Sequence, residues 1–183
     1  MDNKESEYKT VEAEKTIFLH ASAEEYARSA LKLVKHMVNE RGMGGVYITV
    51  SKPFVYSIEV MQNNGIGTEN LFFIDCISQM GGGGGIELEN CVFTSPIALS
   101  EIMMHANDML KKVKTKNKFI LLDCISTLLV YNNEKPVKEF AMWLLANVRA
   151  NKDVTGILVT IKEDTPPTLV GLLKAMCEKV IEE

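Results

Sequence analysis

Five short, predominantly apolar runs separated by helix-like segments constrain the fold of this chain most strongly. The runs cover residues 17–19, 46–50, 71–74, 119–122 and 157–161. Strands that are apolar on both faces belong to a sheet that is covered on both faces, and such sheets are mostly parallel. The pattern therefore predicts an α/β fold of three layers, a mostly parallel sheet with helices on both faces. We expect these five strands to be adjacent.

The segments between the strands have the periodicity of amphipathic helices. Ser22 has the character of a helix N-cap, and acidic residues follow it in the first turn. Further helices are predicted over residues 55–63, 97–112, 137–149 and 168–181, and a short extra strand over 91–94. The last helix could pack on its own sheet or on a neighbouring subunit through Leu169, Leu172, Leu173, Met176 and Val180.

The first 14 residues differ from the rest of the chain in charge and periodicity, and this difference predicts the domain organisation. Residues 1–14 are charged and aperiodic, so they are predicted to be a flexible N-terminal segment, and residues 15–183 a single domain. Five consecutive glycines at 81–85 predict a flexible surface loop, because glycine loses the most backbone entropy on ordering. A phosphate-binding loop is excluded there, since an acidic, strand-like sequence follows instead of Lys-Ser/Thr.

Composition excludes several classes of function. The net charge of −4 argues against a nucleic-acid partner. The apolar runs are too short to span a membrane, and the first residues lack the pattern of a signal peptide, so we expect a cytoplasmic protein. Four cysteines without a C-x-x-C pair are expected to be buried, reduced thiols, and three scattered histidines predict no metal site.

Ligands of parallel α/β sheets bind outside the carboxyl ends of the strands. That rule selects residues 162–164 and six further residues as candidates for a ligand site. Asp123 is the most suggestive of them, because it directly follows a buried apolar strand. The other members of the candidate ligand crevice are His20, Ser22, Ser51, Lys52 and Asp75.

Residues 45–53, 94–102 and 119–126 form three segments that resemble the RecA-type ATPases, most closely the KaiC/RadA-like family common in archaea. Residues 45–53, GVYITVSKP, are similar to the family's glycine, strand, two glutamates and proline. Residues 119–126, FILLDCIS, are similar to its apolar strand, Asp-Ser and following Ser/Thr, and residues 94–102 resemble the lead-in to the preceding helix. The resemblance covers residues 15–165 and implies a RecA/KaiC-like core, with Asp123 as a residual magnesium-binding (Walker B-like) aspartate.

The chain departs from that family where catalysis requires specific residues. It contains no G-x-x-x-x-G-K-[ST] sequence, and the corresponding segment carries Glu24 and Glu25, which repel phosphates. Ser51 and Lys52 stand where the resemblance implies two glutamates, so no general base remains. We therefore expect a degenerate, non-catalytic RecA/KaiC-like domain without a cofactor. Its role would be regulatory or scaffolding, through a protein partner or self-association.

Two other interpretations stay open at this point. The first is a nucleotide-binding protein that holds ATP and magnesium in an altered site around His20, Ser22, Lys52 and Asp123, with little or no hydrolysis. A compact nest of inward-facing amides at residues 20–25 would favour it. The second is a phospho-acceptor receiver domain with Asp75 as acceptor and Lys162 as its partner, which lacks the required acidic pair after the first strand.

Overall fold

A computed structural model describes residues 14–81 and 88–183 of the chain and contains a seven-stranded sheet. All neighbouring strands pair in parallel, in the order β4-β3-β2-β5-β6-β1-β7. The five predicted strands are adjacent within it, which confirms the predicted α/β class. The strands are β1 (Thr16–Ala21), β2 (Gly44–Thr49), β3 (Leu71–Asp75), β4 (Cys91–Phe93), β5 (Lys118–Asp123), β6 (Val154–Ile161) and β7 (Lys179–Glu182).

Helices cover both faces of the sheet and complete the three layers. Two of them lie on one side, the α1–α2 face, and the rest lie on the other, the α3–α6 face. The first helix continues into a π-helical turn, His36–Glu40. The helices are α1 (Tyr26–Lys35), α2 (Phe54–Asn63), α3 (Leu99–Lys112), α4 (Ile125–Tyr131), α5 (Glu134–Ala150) and α6 (Pro167–Met176).

Each central strand contributes to two apolar cores, because successive side chains point to opposite faces. On β1, Leu19 packs in the core of the α1–α2 face, while Phe18 packs in the core of the α3–α6 face; both are fully buried. Fully burying an apolar side chain of this size contributes about 1.5–3 kcal/mol. The paired cores explain why the strands are apolar on both sides.

The C-terminus differs from the predicted helix over residues 168–181. Helix α6 ends at Met176, and Val180 lies in the edge strand β7 beside β1. Pairing in β7 satisfies backbone groups on the open edge of β1, which outweighs continued helix periodicity. Leu169 and Leu173 are fully buried in the core of the α3–α6 face, so α6 packs on its own sheet. Packing of its partly buried residues on a neighbouring subunit remains a prediction.

The predicted helices differ from the structure around α4 and α5. Helix α4 was not predicted, and α5 begins at Glu134 instead of residue 137.

Residues 1–13 and most of the 81–85 glycine loop lie outside the described residues, so both flexible segments remain predictions. Cys76, Cys91 and Cys124 are buried free thiols, and Cys177 is half-buried. Within the described ranges, no helix combines the length and apolarity needed to cross a membrane.

Gly45 of β2 allows its strand to pack closely against the ring of an aromatic core residue, Phe119. A Cβ atom on Gly45 would lie 2.6 Å from the ring of Phe119, which is fully buried. We expect Gly45→Ala to lower the free energy of unfolding by about 1–3 kcal/mol, because the ring has no space to move. Urea denaturation measures this.

The matched control is Gly171→Ala in α6, where no heavy atom lies within 4 Å of the added Cβ. Alanine favours helix over glycine by about 0.5–1 kcal/mol, so this variant should be equally or more stable than the parent chain. Equal destabilisation by both changes would contradict the packing argument.

Candidate functional site at the carboxyl ends of the strands

The ends of β2 and β5 bring a carboxylate and two hydroxyl groups together. The Asp123 cluster, as we call Tyr47, Ser51 and Asp123, is joined at one carboxylate oxygen. Asp123 Oδ2 accepts a 2.7 Å hydrogen bond from Tyr47 Oη and a longer one, 3.4 Å, from Ser51 Oγ. Tyr47 reaches it because it pairs with Leu121 in the neighbouring strand, on the same face of the sheet as Asp123.

Asp123 is nearly buried, with 5% of its surface exposed. Its Oδ1 is buried and has no hydrogen-bond partner among the described residues. Burial raises the pKa of Asp123, and the Tyr47 hydrogen bond, the Lys52 charge and the Ser51 hydroxyl only partly offset that rise. Burial, followed by the Asp123 charge, raises the pKa of Tyr47 well above its usual value, so the phenol remains a donor.

A small cavity of about 50 Å³ adjoins the Asp123 cluster. Lys52 lines it, with its Nζ 5.0 Å from the centre of the Tyr56 ring, a distance typical of a cation–π contact. The cavity is large enough for water molecules or a small cation. A single carboxylate faces it, and no group of three metal-binding side chains occurs in the described ranges. Its lining comprises Ala27, Leu31, Tyr47, Lys52, Tyr56, Ser57, Val60, Met61 and Asp123.

Asp75 has a structural role that fully occupies its oxygens. Oδ2 accepts hydrogen bonds from the Phe54 amide (2.7 Å) and the Ser78 hydroxyl (2.6 Å). Oδ1 accepts bonds from the amides of Ile77 and Ser78, both at 2.8 Å. The carboxylate therefore holds the start of α2 and the turn after β3. This fully bonded geometry does not suit the phospho-acceptor considered above.

His20 lies on the opposite face of the sheet from Asp123. Its ring stacks on Phe18, with 5.4 Å between centroids, and Nδ1 lies 2.8 Å from Thr160 Oγ1. Burial lowers the pKa of His20, although nearby Glu182 raises it. Strand β6 separates β1 from β5. His20 therefore does not join Asp123, Ser51 and Lys52 in one crevice.

The turn between β1 and α1 uses its amides for contacts within the chain. The Ser22 amide donates to the Glu183 carbonyl, and the Ala23 amide donates to a Glu163 carboxylate oxygen, both at 3.0 Å. The Ser22 carbonyl accepts bonds from the amides of residues 25 and 26, where α1 begins. The Ser22 side chain does not cap α1, which corrects that prediction. A tight turn running directly into a helix replaces the nest of free amides.

Sequence reasoning missed two site residues, Tyr47 and Tyr56, and did not predict the partner of a third, Glu163. Tyr47 was assigned only to a strand, although a phenol in an apolar strand needs a hydrogen-bond partner, which was a usable signal. Tyr56 was assigned only to a helix. Glu163 fell inside the selected segment 162–164, but no sequence pattern links it to Ala23, 140 positions away.

Solved structures similar to this chain share its fold at low sequence identity. The KaiC-like protein PH0186 from Pyrococcus horikoshii has a TM-score of 0.63 and 17% identity, over 92% of this chain and 70% of that one. FlaH, a flagellar accessory protein from Methanocaldococcus jannaschii, has a TM-score of 0.62 and 12% identity, over 99% and 76%. The chain has a RecA/KaiC-like fold. No protein-family model matches it, and neither does any curated protein sequence.

A third similar structure is that of PH0321 from Pyrococcus horikoshii, solved in complex with an unknown peptide. Its TM-score is 0.65 at 11% identity, over 92% of this chain and 77% of that one. At such identities the RecA/KaiC-like fold is shared, while residue roles are not transferred. The Asp123 cluster lies at the carboxyl edge of this fold, the usual position of ligand sites in parallel α/β sheets.

The two buried aspartates should respond in opposite ways to loss of charge. Asp123→Asn should raise the free energy of unfolding at neutral pH, because the buried charge disappears while an acceptor for Tyr47 remains. A raised pKa means that the native state of the parent loses stability as pH rises through that pKa. The gain should therefore shrink as the pH falls toward 4, as measured by urea denaturation at several pH values.

Asp75→Asn serves as the matched comparison. An amide cannot accept all four hydrogen bonds that Asp75 accepts, so stability should fall by about 1–3 kcal/mol. Loss of stability of similar size in both variants at neutral pH would refute the distinction between them.

Proposed function

We propose that this chain is a non-catalytic RecA/KaiC-like domain that acts as a regulatory or scaffolding module through protein contacts. The observation that carries the proposal is the hydrogen bond from the Ala23 amide to Glu163. An amide in the turn after β1, which could otherwise receive a phosphate, is occupied by the protein's own carboxylate. With Glu24 and Glu25 beside it, the turn presents negative charge to an incoming phosphate.

The groups around Asp123 support the absence of hydrolysis. Ser51 and Lys52 replace the two glutamates that the family resemblance implies, so no carboxylate remains to polarise water. Asp123 itself is bonded to Tyr47 and nearly buried. A phosphate that is not held cannot be transferred, whatever the metal nearby.

The carboxyl edge of the sheet also exposes apolar side chains suited to a protein partner. Val55, Met80, Ile97 and Val130 are each more than half exposed, and Tyr56 nearly so. All five lie on segments that follow the carboxyl ends of strands. Met104 and Met142, within α3 and α5, are exposed as well, so exposed apolar side chains favour docking of a partner without being confined to one edge. A similarly folded protein has been solved with a peptide, which agrees with such a role.

A nucleotide-binding protein with an altered site is the second candidate. One observation favours it: the unpartnered, buried Oδ1 of Asp123 beside a cavity of about 50 Å³. A magnesium ion or a water could satisfy that oxygen. The distant position of His20 and the filled turn at Ser22 weigh against it.

Titration with magnesium-ATP distinguishes the two candidates. We expect isothermal calorimetry to detect no saturable binding with a Kd below about 1 mM, and phosphate release to equal that of a protein-free blank. A P-loop ATPase serves as positive control. Saturable binding that disappears in Asp123→Ala would establish the second candidate; turnover that disappears in the same variant would overturn both.

A further inference from the structure

We propose that a groove at the amino edge of the sheet binds an acidic peptide segment of a partner protein. The groove lies between the C-terminal parts of α3 and α5, at the start of β5 and β6, opposite the edge that carries Asp123. Its volume is about 480 Å³, within the range of ligand sites. Three lysines and three amides line it: Lys111, Lys118, Lys152, Asn107, Asn147 and Asn151.

The groove is positively charged in a chain of net charge −4. Lys111 and Lys152 are exposed on its two sides, and the segment joining α3 to β5 adds the exposed Lys114 and Lys116. Asp108 pairs with Lys111, and Asp153 also lines the groove, so the excess is partial. Lysines left in excess favour an anionic ligand.

Hydrogen bonds within the chain involve only some of the lysines at and beside the groove. Lys118 Nζ donates to the Leu110 carbonyl at 2.7 Å and so satisfies the end of α3. Neither Lys114, Lys116 nor Lys152 has a side-chain bond to another described residue. Their charges remain available to carboxylates.

The asparagine side chains of the groove favour a peptide over other anionic ligands. The side chain of Asn107 has no hydrogen bond within the described parts of the chain, and Asn147 donates only a long bond, 3.5 Å, to the Trp143 carbonyl. Asn151 is engaged, since its Nδ2 donates a 2.7 Å bond to the Asn147 carbonyl. Side-chain amides both donate and accept, which matches peptide groups, whereas phosphate oxygens mainly accept. The overall negative charge of the chain repels an extended polyanion such as nucleic acid, while a short acidic segment contacts the groove alone.

Trp143 provides a built-in reporter for this groove. It is the only tryptophan in the chain. Its half-buried ring lines a narrow apolar cleft that shares five lining residues with the groove. Occupation of the groove should therefore change the fluorescence of Trp143.

The experiment titrates the full chain with an acetylated hexapeptide of five acidic residues and one leucine. A peptide with glutamine and asparagine in place of the acids is the control. We expect a saturable change in Trp143 emission for the acidic peptide only, weakening as salt rises from about 20 to about 300 mM. Lys152→Glu should lower the affinity roughly five- to tenfold.

Lys135→Glu is the matched control variant, because Lys135 is also exposed but lies at the opposite end of α5 from the groove. The affinity of this variant for the acidic peptide should stay within about twofold of that of the parent chain. Three results would overturn the proposal: equal binding of the neutral peptide, no effect of Lys152→Glu, or stronger lysine-dependent binding by a ten-nucleotide single strand. The proposal builds on the protein-interaction role proposed above. The peptide and ATP titrations address opposite edges, so failure of one leaves the other interpretable.

Discussion

Burial of both faces of an all-parallel sheet is the constraint on which the rest of the structure depends. Parallel strands need crossover helices, and those helices must be apolar on the side that covers the sheet. The alternation along β1, with Phe18 in one core and Leu19 in the other, meets that requirement residue by residue. Polar chemistry is consequently restricted to the two edges, where strands end and backbone groups meet solvent.

Neighbouring strands decide what each polar residue at the carboxyl edge does. Asp75 and Asp123 both precede Cys-Ile-Ser, and both flank Thr49 of β2 in register. Asp75 nevertheless faces free amides of α2 and the following turn, whereas Asp123 faces the Tyr47 phenol. Identical local sequence therefore produces a saturated structural carboxylate in one place and a half-satisfied one in the other.

Sequence reasoning predicted the central strands because both of their faces are buried, which makes each strand a continuous apolar run. It failed at β7, where Val180 also continues the helical spacing of α6, so only the open edge of β1 distinguishes strand from helix. It also missed α4, because this helix has only seven residues and continues the apolar run of β5, although Ile125, Leu128 and Leu129 have the i, i+3, i+4 spacing of a helix. The candidate crevice combined residues correctly by strand end but not by face, and this is why His20 was placed with Asp123.

The common direction of the helices gives the two edges of the sheet helix ends of opposite partial charge. Crossover helices run antiparallel to the strands, so their positive N-terminal ends meet the carboxyl edge and their negative ends meet the amino edge. At the carboxyl edge, this chain's own acids face those positive ends: Asp75 accepts a bond from the first amide of α2, and Glu163 accepts one from the Ala23 amide in the turn before α1. At the amino edge, Lys118 satisfies the end of α3, and further lysines exceed that need. A carboxyl edge neutralised from within is poorly suited to an external phosphate, while the surplus positive charge at the amino edge remains open to an external acid. In the proposed function of this chain, the same helix arrangement therefore assigns anion recognition to the edge opposite the one where parallel α/β sheets usually bind ligands.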